Sequence, residues 1–125
     1  ITRAEYLTLD MDQLAVRLHA LIPQEHLDFI ASFEDQIIIG DYVFVHAGIR
    51  PDVPLSQQKK SDLRWIRDDF LEHRGDLEKV VVYGHTIFDD VDERGSRIGI
   101  DTGAYASGRL TAIALEGGDR WYLQT

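Results

Sequence analysis

Three stretches of the chain follow one pattern: Tyr42-Val43-Phe44-Val45-His46-Ala47-Gly48, Val80-Val81-Val82-Tyr83-Gly84-His85-Thr86 and Ile98-Gly99-Ile100-Asp101-Thr102-Gly103. Each is a short apolar run that stops at a metal-capable or acidic side chain with glycine beside it. A buried strand that delivers an imidazole at its end, with little side-chain bulk around it, suits a metal or phosphate site. For either His46 or His85 alone, the competing reading is a strand-end histidine hydrogen-bonded to backbone. Two in the same context weigh against that reading. Asp101 reads equally as an acceptor that orients an imidazole and as a loop carboxylate that caps a turn.

A cation joins this set. If the residues from about 62 to 73 form one helix, Leu63, Ile66 and Phe70 make its apolar stripe. Arg67 then falls about 40° from Leu63, inside the stripe. A guanidinium facing the core must be paired or must bind an anion, because burying it alone costs several kcal/mol. A structural ion pair and an anion site both remain open for it. His19, His26 and His73 read as structural or solvated, and Trp65 projects away from the stripe, covering a neighbouring segment or exposed. The acidic run Asp89, Asp90, Asp92 and Glu93 lacks EF-hand spacing and reads as a solvated hairpin. No Walker-A loop, dinucleotide fingerprint or serine elbow is present.

The elements that must position these groups follow from periodicity. Met11 to Ile22 reads as an amphipathic helix capped by Asp10, and Pro23 starts a second short helix carrying Leu27, Ile30 and Ala31. Ile37-Ile38-Ile39, Gly40-Asp41 and Tyr42 to Val45 predict a tight hairpin with glycine first in the turn. Arg50 to Lys60, with two prolines and many polar side chains, predicts a surface loop. A helix capped by Ser61 or Asp62 is expected to run to about His73 and to stop at Gly75. Strands follow at Lys79 to Tyr83, Arg97 to Ile100, Arg109 to Leu115 and Arg120 to Leu123, with hairpins at Asp92-Glu93-Arg94-Gly95 and Glu116-Gly117-Gly118-Asp119.

At 125 residues, 44% hydrophobic and 28% charged, the chain is expected to form a single unit over residues 1–125. Thirteen Lys and Arg against 22 Asp and Glu give a net charge of −9, which disfavours nucleic acid and anionic membranes as partners. An anionic ligand would need local cations. The absence of cysteine excludes disulfides, thiolate zinc sites and a cysteine nucleophile. No apolar run approaches the roughly 20 residues of a membrane span, and no signal peptide is legible, so a cytoplasmic location is expected. The chain opens at Ile1 without an initiator methionine, and the expectation is a piece of a longer protein.

Five segments together resemble the C-terminal half of the calcineurin-like metallophosphoesterases, and among them the bacterial serine/threonine protein phosphatases of the phosphoprotein phosphatase family. They are Val45-His46-Ala47-Gly48-Ile49-Arg50-Pro51, Leu63-Arg64-Trp65-Ile66-Arg67-Asp68, Val82-Tyr83-Gly84-His85-Thr86, Ile100-Asp101-Thr102-Gly103-Ala104 and Gly108-Arg109-Leu110-Thr111. They occur in the family's order over roughly residues 42 to 115. The resemblance implies an α+β fold: half of a metallophosphoesterase β-sandwich with mixed sheets, flanked by helices.

It further implies that His46 and His85 ligate one ion of a dinuclear centre, usually manganese, iron or zinc. Arg67 would grip the substrate phosphate, Asp101 would sit behind the ligands, and Arg50 and Tyr105 would line the mouth of the pocket. The implied chemistry is in-line attack of a metal-activated water on phosphorus, without a covalent enzyme intermediate. The family's Asp-x-His, Gly-Asp-x-x-Asp-Arg-Gly and Gly-Asn-His-Glu motifs, which supply the other ligands, are not in this sequence. The implied substrates are phosphorylated proteins or small phosphoesters. Hydrolysis of dinucleoside polyphosphates and a non-catalytic phosphate-binding module are the alternatives.

Overall fold

The computed structural model describes residues 2 and 7–125, which divide into two compact units at Glu34 and Asp35. In the first unit, helix α1 (Met11–Leu21) opens on a capping box. Gln13 N donates to Asp10 Oδ1 at 2.8 Å, and Asp10 N donates to the Gln13 side chain at 3.2 Å. Two donors that a helix start leaves unsatisfied are thereby paired. Helix α2 (Gln24–Ala31) begins after Pro23, as expected.

The second unit holds the motifs. Strands β1 (Gln36–Ile39) and β2 (Tyr42–Val45) form the expected hairpin, and Gly40 takes the positive φ of 56° that its turn demands. Strands β3 (Val80–Tyr83), β4 (Asp92–Arg94) and β5 (Arg97–Gly99) complete a five-stranded mixed sheet in the order β1-β2-β3-β5-β4. The three central strands β2, β3 and β5 run parallel to one another. They are the apolar runs of the three motifs, and parallel strands require such runs because both faces are covered. Strands β6 (Thr111–Glu116) and β7 (Asp119–Gln124) pair as a separate antiparallel hairpin. The fold is α+β with mixed sheets, as expected.

The long connection from β2 to β3 differs from expectation in two places. Residues 50–60 are more than a solvated loop: a 3₁₀ turn at Leu55–Gln57 buries Leu55, and the Gln58 side chain bonds Arg50 N, Arg50 O and Val53 O. The helix expected from 62 to 73 is two short ones, α3 (Lys60–Trp65) and α4 (Asp68–Leu71), entered from Lys59 and not capped by Ser61 or Asp62. The break falls at Ile66 and Arg67. A continuous helix would point Arg67 into the core; the break keeps Ile66 and Phe70 buried and leaves Arg67 exposed.

Phe70 is the centre of this packing, fully buried and edge-on to Tyr83 with ring centroids 4.9 Å apart. It lies against Gly48, where a Cβ would come within 2.4 Å of the ring. The Arg97 guanidinium lies 5.8 Å from the ring centroid and donates to Phe70 O. Among the described residues no helix is long and apolar enough to cross a membrane. Truncation by Phe70→Ala is expected to destabilise this unit by about 3–5 kcal/mol in urea unfolding. A loss below about 1 kcal/mol would remove the ring from the core.

Candidate metal and phosphate site

The parallel pairing of β2, β3 and β5 brings the three motif ends to one edge of the sheet. Gly84 N donates to His46 O at 2.9 Å and Ile100 N donates to Tyr83 O at 3.0 Å, so the pairing carries on past the strand ends. His46, His85 and Asp101 all line one cleft of ≈ 400 Å³, with Tyr83, Thr102 and Thr111 among its other walls. Ligand sites in open α/β sheets lie outside the carboxyl ends of parallel strands for this topological reason.

The two imidazoles face each other, His46 Nε2 lying 3.2 Å from His85 Nδ1. One ion held tetrahedrally by two imidazoles at about 2.0–2.1 Å separates their nitrogens by about 3.3–3.4 Å, so the spacing fits a shared ion. His85 Nε2 is buried without a hydrogen-bond partner among the described residues. Burial pushes the His85 pKa down, and the Arg67 and His46 charges add to this against the opposing effect of Asp101. A neutral imidazole is the form that ligates a metal. Among the described residues no group of three or more His, Asp or Glu gathers into a metal-binding set.

His85 is held in an uncommon backbone conformation. Its φ is 65°, and Thr86 N donates to Gly84 O at 2.7 Å, closing a three-residue turn centred on His85. A γ-turn with positive φ is rare and strained, and such strain gathers at functional positions. Gly84 itself has room for a Cβ, the nearest atoms lying at 3.7 Å, so the glycine of this motif is not forced by contact. Asp101 Oδ1 accepts from Gly103 N at 3.0 Å and caps its turn; neither imidazole bonds to it in the described structure.

The two arginines differ in their partners. Arg50 donates from Nε and Nη2 to both oxygens of Asp62, at 2.9 and 3.0 Å, and from Nη1 to Asp69 at 2.8 Å. Arg67 has no carboxylate partner among the described residues. Its Nη1 donates to Thr86 Oγ1 at 3.1 Å and lies 3.4 Å from His85 O. Arg50 and Arg67 both line a second, polar cleft of ≈ 440 Å³ beside α3 and α4. Tyr105 is 89% exposed, while its neighbour Ala104 lines the histidine cleft.

Two contacts were not legible from spacing. Trp65 is 73% exposed yet stands edge-on to the His85 ring at 5.6 Å. Thr86 lies inside the Gly-His-Thr motif, but its hold on Arg67 depends on a segment 19 residues away. The acidic run is not simply solvated. Asp92 accepts from Tyr83 and Arg94 within the five-stranded sheet, while Glu93 pairs with Tyr122 and Arg120 and Asp90 accepts from Gln124, joining that sheet's end to the β6–β7 hairpin.

No family model and no curated protein matches the chain. One solved chain, described as a "putative diadenosine tetraphosphatase", matches with a TM-score of 0.69 over 86% of this chain, at 21% sequence identity. The likeness is one of fold. This chain spans 58% of that chain's length. The mixed sheet and its flanking helices therefore share their fold with part of that chain.

Arg50 holds the Asp62 carboxyl below its ordinary pKa through hydrogen bonds that outweigh the cost of burial. Because the folded value is the lower one, this stabilisation is present above the ordinary aspartate value and is lost as the pH falls through the folded one. Asp62→Asn should therefore lower the melting temperature by a few degrees at pH 7. The gap to wild type should narrow below pH 3.8, the ordinary aspartate value. A gap that stays constant to pH 3 would remove the pair as its cause.

Proposed function

We propose that the chain is the C-terminal part of a metal-dependent phosphoester hydrolase that acts on serine/threonine phosphoproteins in the cytoplasm. The observation that carries this reading is the pair of facing imidazole nitrogens at 3.2 Å with a carboxylate-free guanidinium beside them. His46 and His85 would hold one ion of a dinuclear centre, manganese in the first instance and iron or zinc otherwise. The remaining ligands would come from segments outside this sequence. Bound divalent ions supply Lewis acidity toward the phosphoryl oxygens and an activated water for attack on phosphorus.

The chain's own residues do the rest. Arg67 grips the phosphoryl group, for which a guanidinium is suited because it donates two parallel hydrogen bonds to two oxygens. Phe44, Val82 and Ile100 give the histidine cleft an apolar wall. Asp101 places a negative charge near His85 and would stabilise its bound form. Arg50 and Tyr105 belong to the outer rim. A second reading, hydrolysis of dinucleoside polyphosphates, is favoured by the described activity of the protein with the similar fold.

In the complete, manganese-loaded protein, Arg67→Ala is expected to lower kcat/KM on a phosphopeptide by about 10²–10³ while the urea midpoint moves little. Loss of fold with normal turnover per folded molecule would make Arg67 structural instead. His85→Ala is expected to abolish the EDTA-sensitive turnover, and full activity in that variant would exclude it as a ligand. Turnover of diadenosine tetraphosphate without turnover of phosphopeptides would select the second reading.

A further inference from the structure

Arg67 is an exposed side chain in a break between two short helices, a place where a long flexible group has little packing to hold it. Its hydrogen bonds nevertheless all start from one atom. Nη1 donates to Thr86 Oγ1 at 3.1 Å and points to the His85 carbonyl at 3.4 Å, and no other hydrogen bond or ion pair of the guanidinium occurs among the described residues. Nε and Nη2 lie on the opposite edge of the guanidinium, and their N–H bonds form the fork that accepts two oxygens of an anion. Arg50 shows the contrast, since its own Nε and Nη2 fork is filled by Asp62.

We infer that Thr86 is a positioning residue for phosphate: its hydroxyl engages Nη1 of Arg67, so that the Nε and Nη2 edge stays free and fixed for a phosphoryl group. Threonine suits this task because β-branching restricts its χ1, so the acceptor oxygen has few places to go. The same guanidinium reaches the carbonyl of His85, the centre of the strained turn. One nitrogen therefore ties the phosphate-gripping residue to the backbone of a metal-holding one. A group of oxyanion character, and not a neutral ester oxygen alone, is what the free edge recognises. The inference rests on the proposed role of Arg67 as the phosphate grip.

The test is binding of orthophosphate to the complete, manganese-loaded protein by isothermal titration, with thermal melting alongside. Thr86→Val removes the acceptor at nearly constant shape and is expected to weaken phosphate binding about tenfold with an unchanged melting temperature. Thr86→Ser keeps the acceptor and should bind within about threefold of wild type. In an Arg67→Ala background, Thr86→Val should cost no more than about twofold further, because its partner is already gone. Thr86→Ala provides the same comparison if the valine variant does not fold. Wild-type affinity in Thr86→Val overturns the inference while leaving Arg67 in place, and so does an undiminished loss in the Arg67→Ala background. Wild-type affinity in Arg67→Ala removes the phosphate grip itself, and with it both this inference and the functional reading.

Discussion

The parallel registration of β2, β3 and β5 is the constraint on which the rest of the structure depends. Because the three strands point the same way and are neighbours in the sheet, their ends meet at one edge, and the short turns that follow them gather His46, His85 and Asp101 there. Parallel neighbours need a crossover, and the β2-to-β3 crossover is where α3, α4 and Arg67 reside. The same constraint therefore supplies the imidazoles and returns the cation to them. The buried Val43, Val81, Val82 and Ile98 hold the registration by packing on both faces.

Around that edge, identical residue types are given different work by their partners. Arg50 is consumed by two carboxylates and fixes the crossover, whereas Arg67 meets only a hydroxyl and a carbonyl. A fully neutralised guanidinium has nothing left for an anion; one held by neutral acceptors keeps its charge available. The helix break follows the same logic. A continuous helix would bury the Arg67 charge, and interrupting it places the charge at the turn that presents His85.

The second sheet is held by a set of polar contacts. Thr102 and Thr111 are buried with their hydroxyls 2.8 Å apart on the wall of the cleft, and Gln124 donates to Thr111 and to Asp90. Glu93 reaches Tyr122 and Arg120 on β7. These bonds keep β6 beside the histidine cleft, so the acidic hairpin supports the site although none of its carboxylates enters it.

What the sequence determined alone were the features set by local periodicity and short-range sterics. The helix cap at Asp10, the Gly40 hairpin and the apolar runs of β2, β3 and β5 were legible because each is dictated by neighbours within a few residues. His46 and His85 were legible as candidates because each ends an apolar run beside glycine, and Arg67 because a cation stood where a helical pattern called for an apolar residue. Tertiary structure alone decided the break at Arg67, the pairing of Arg50, the hold of Thr86 and the bridging by Asp90 and Glu93. Those choices turn on the cost of burying a charge and on partners distant in sequence, and neither is written in any local pattern. The imidazoles meet for the same reason: 39 residues separate them in the chain, and only the shared sheet edge brings their nitrogens to 3.2 Å.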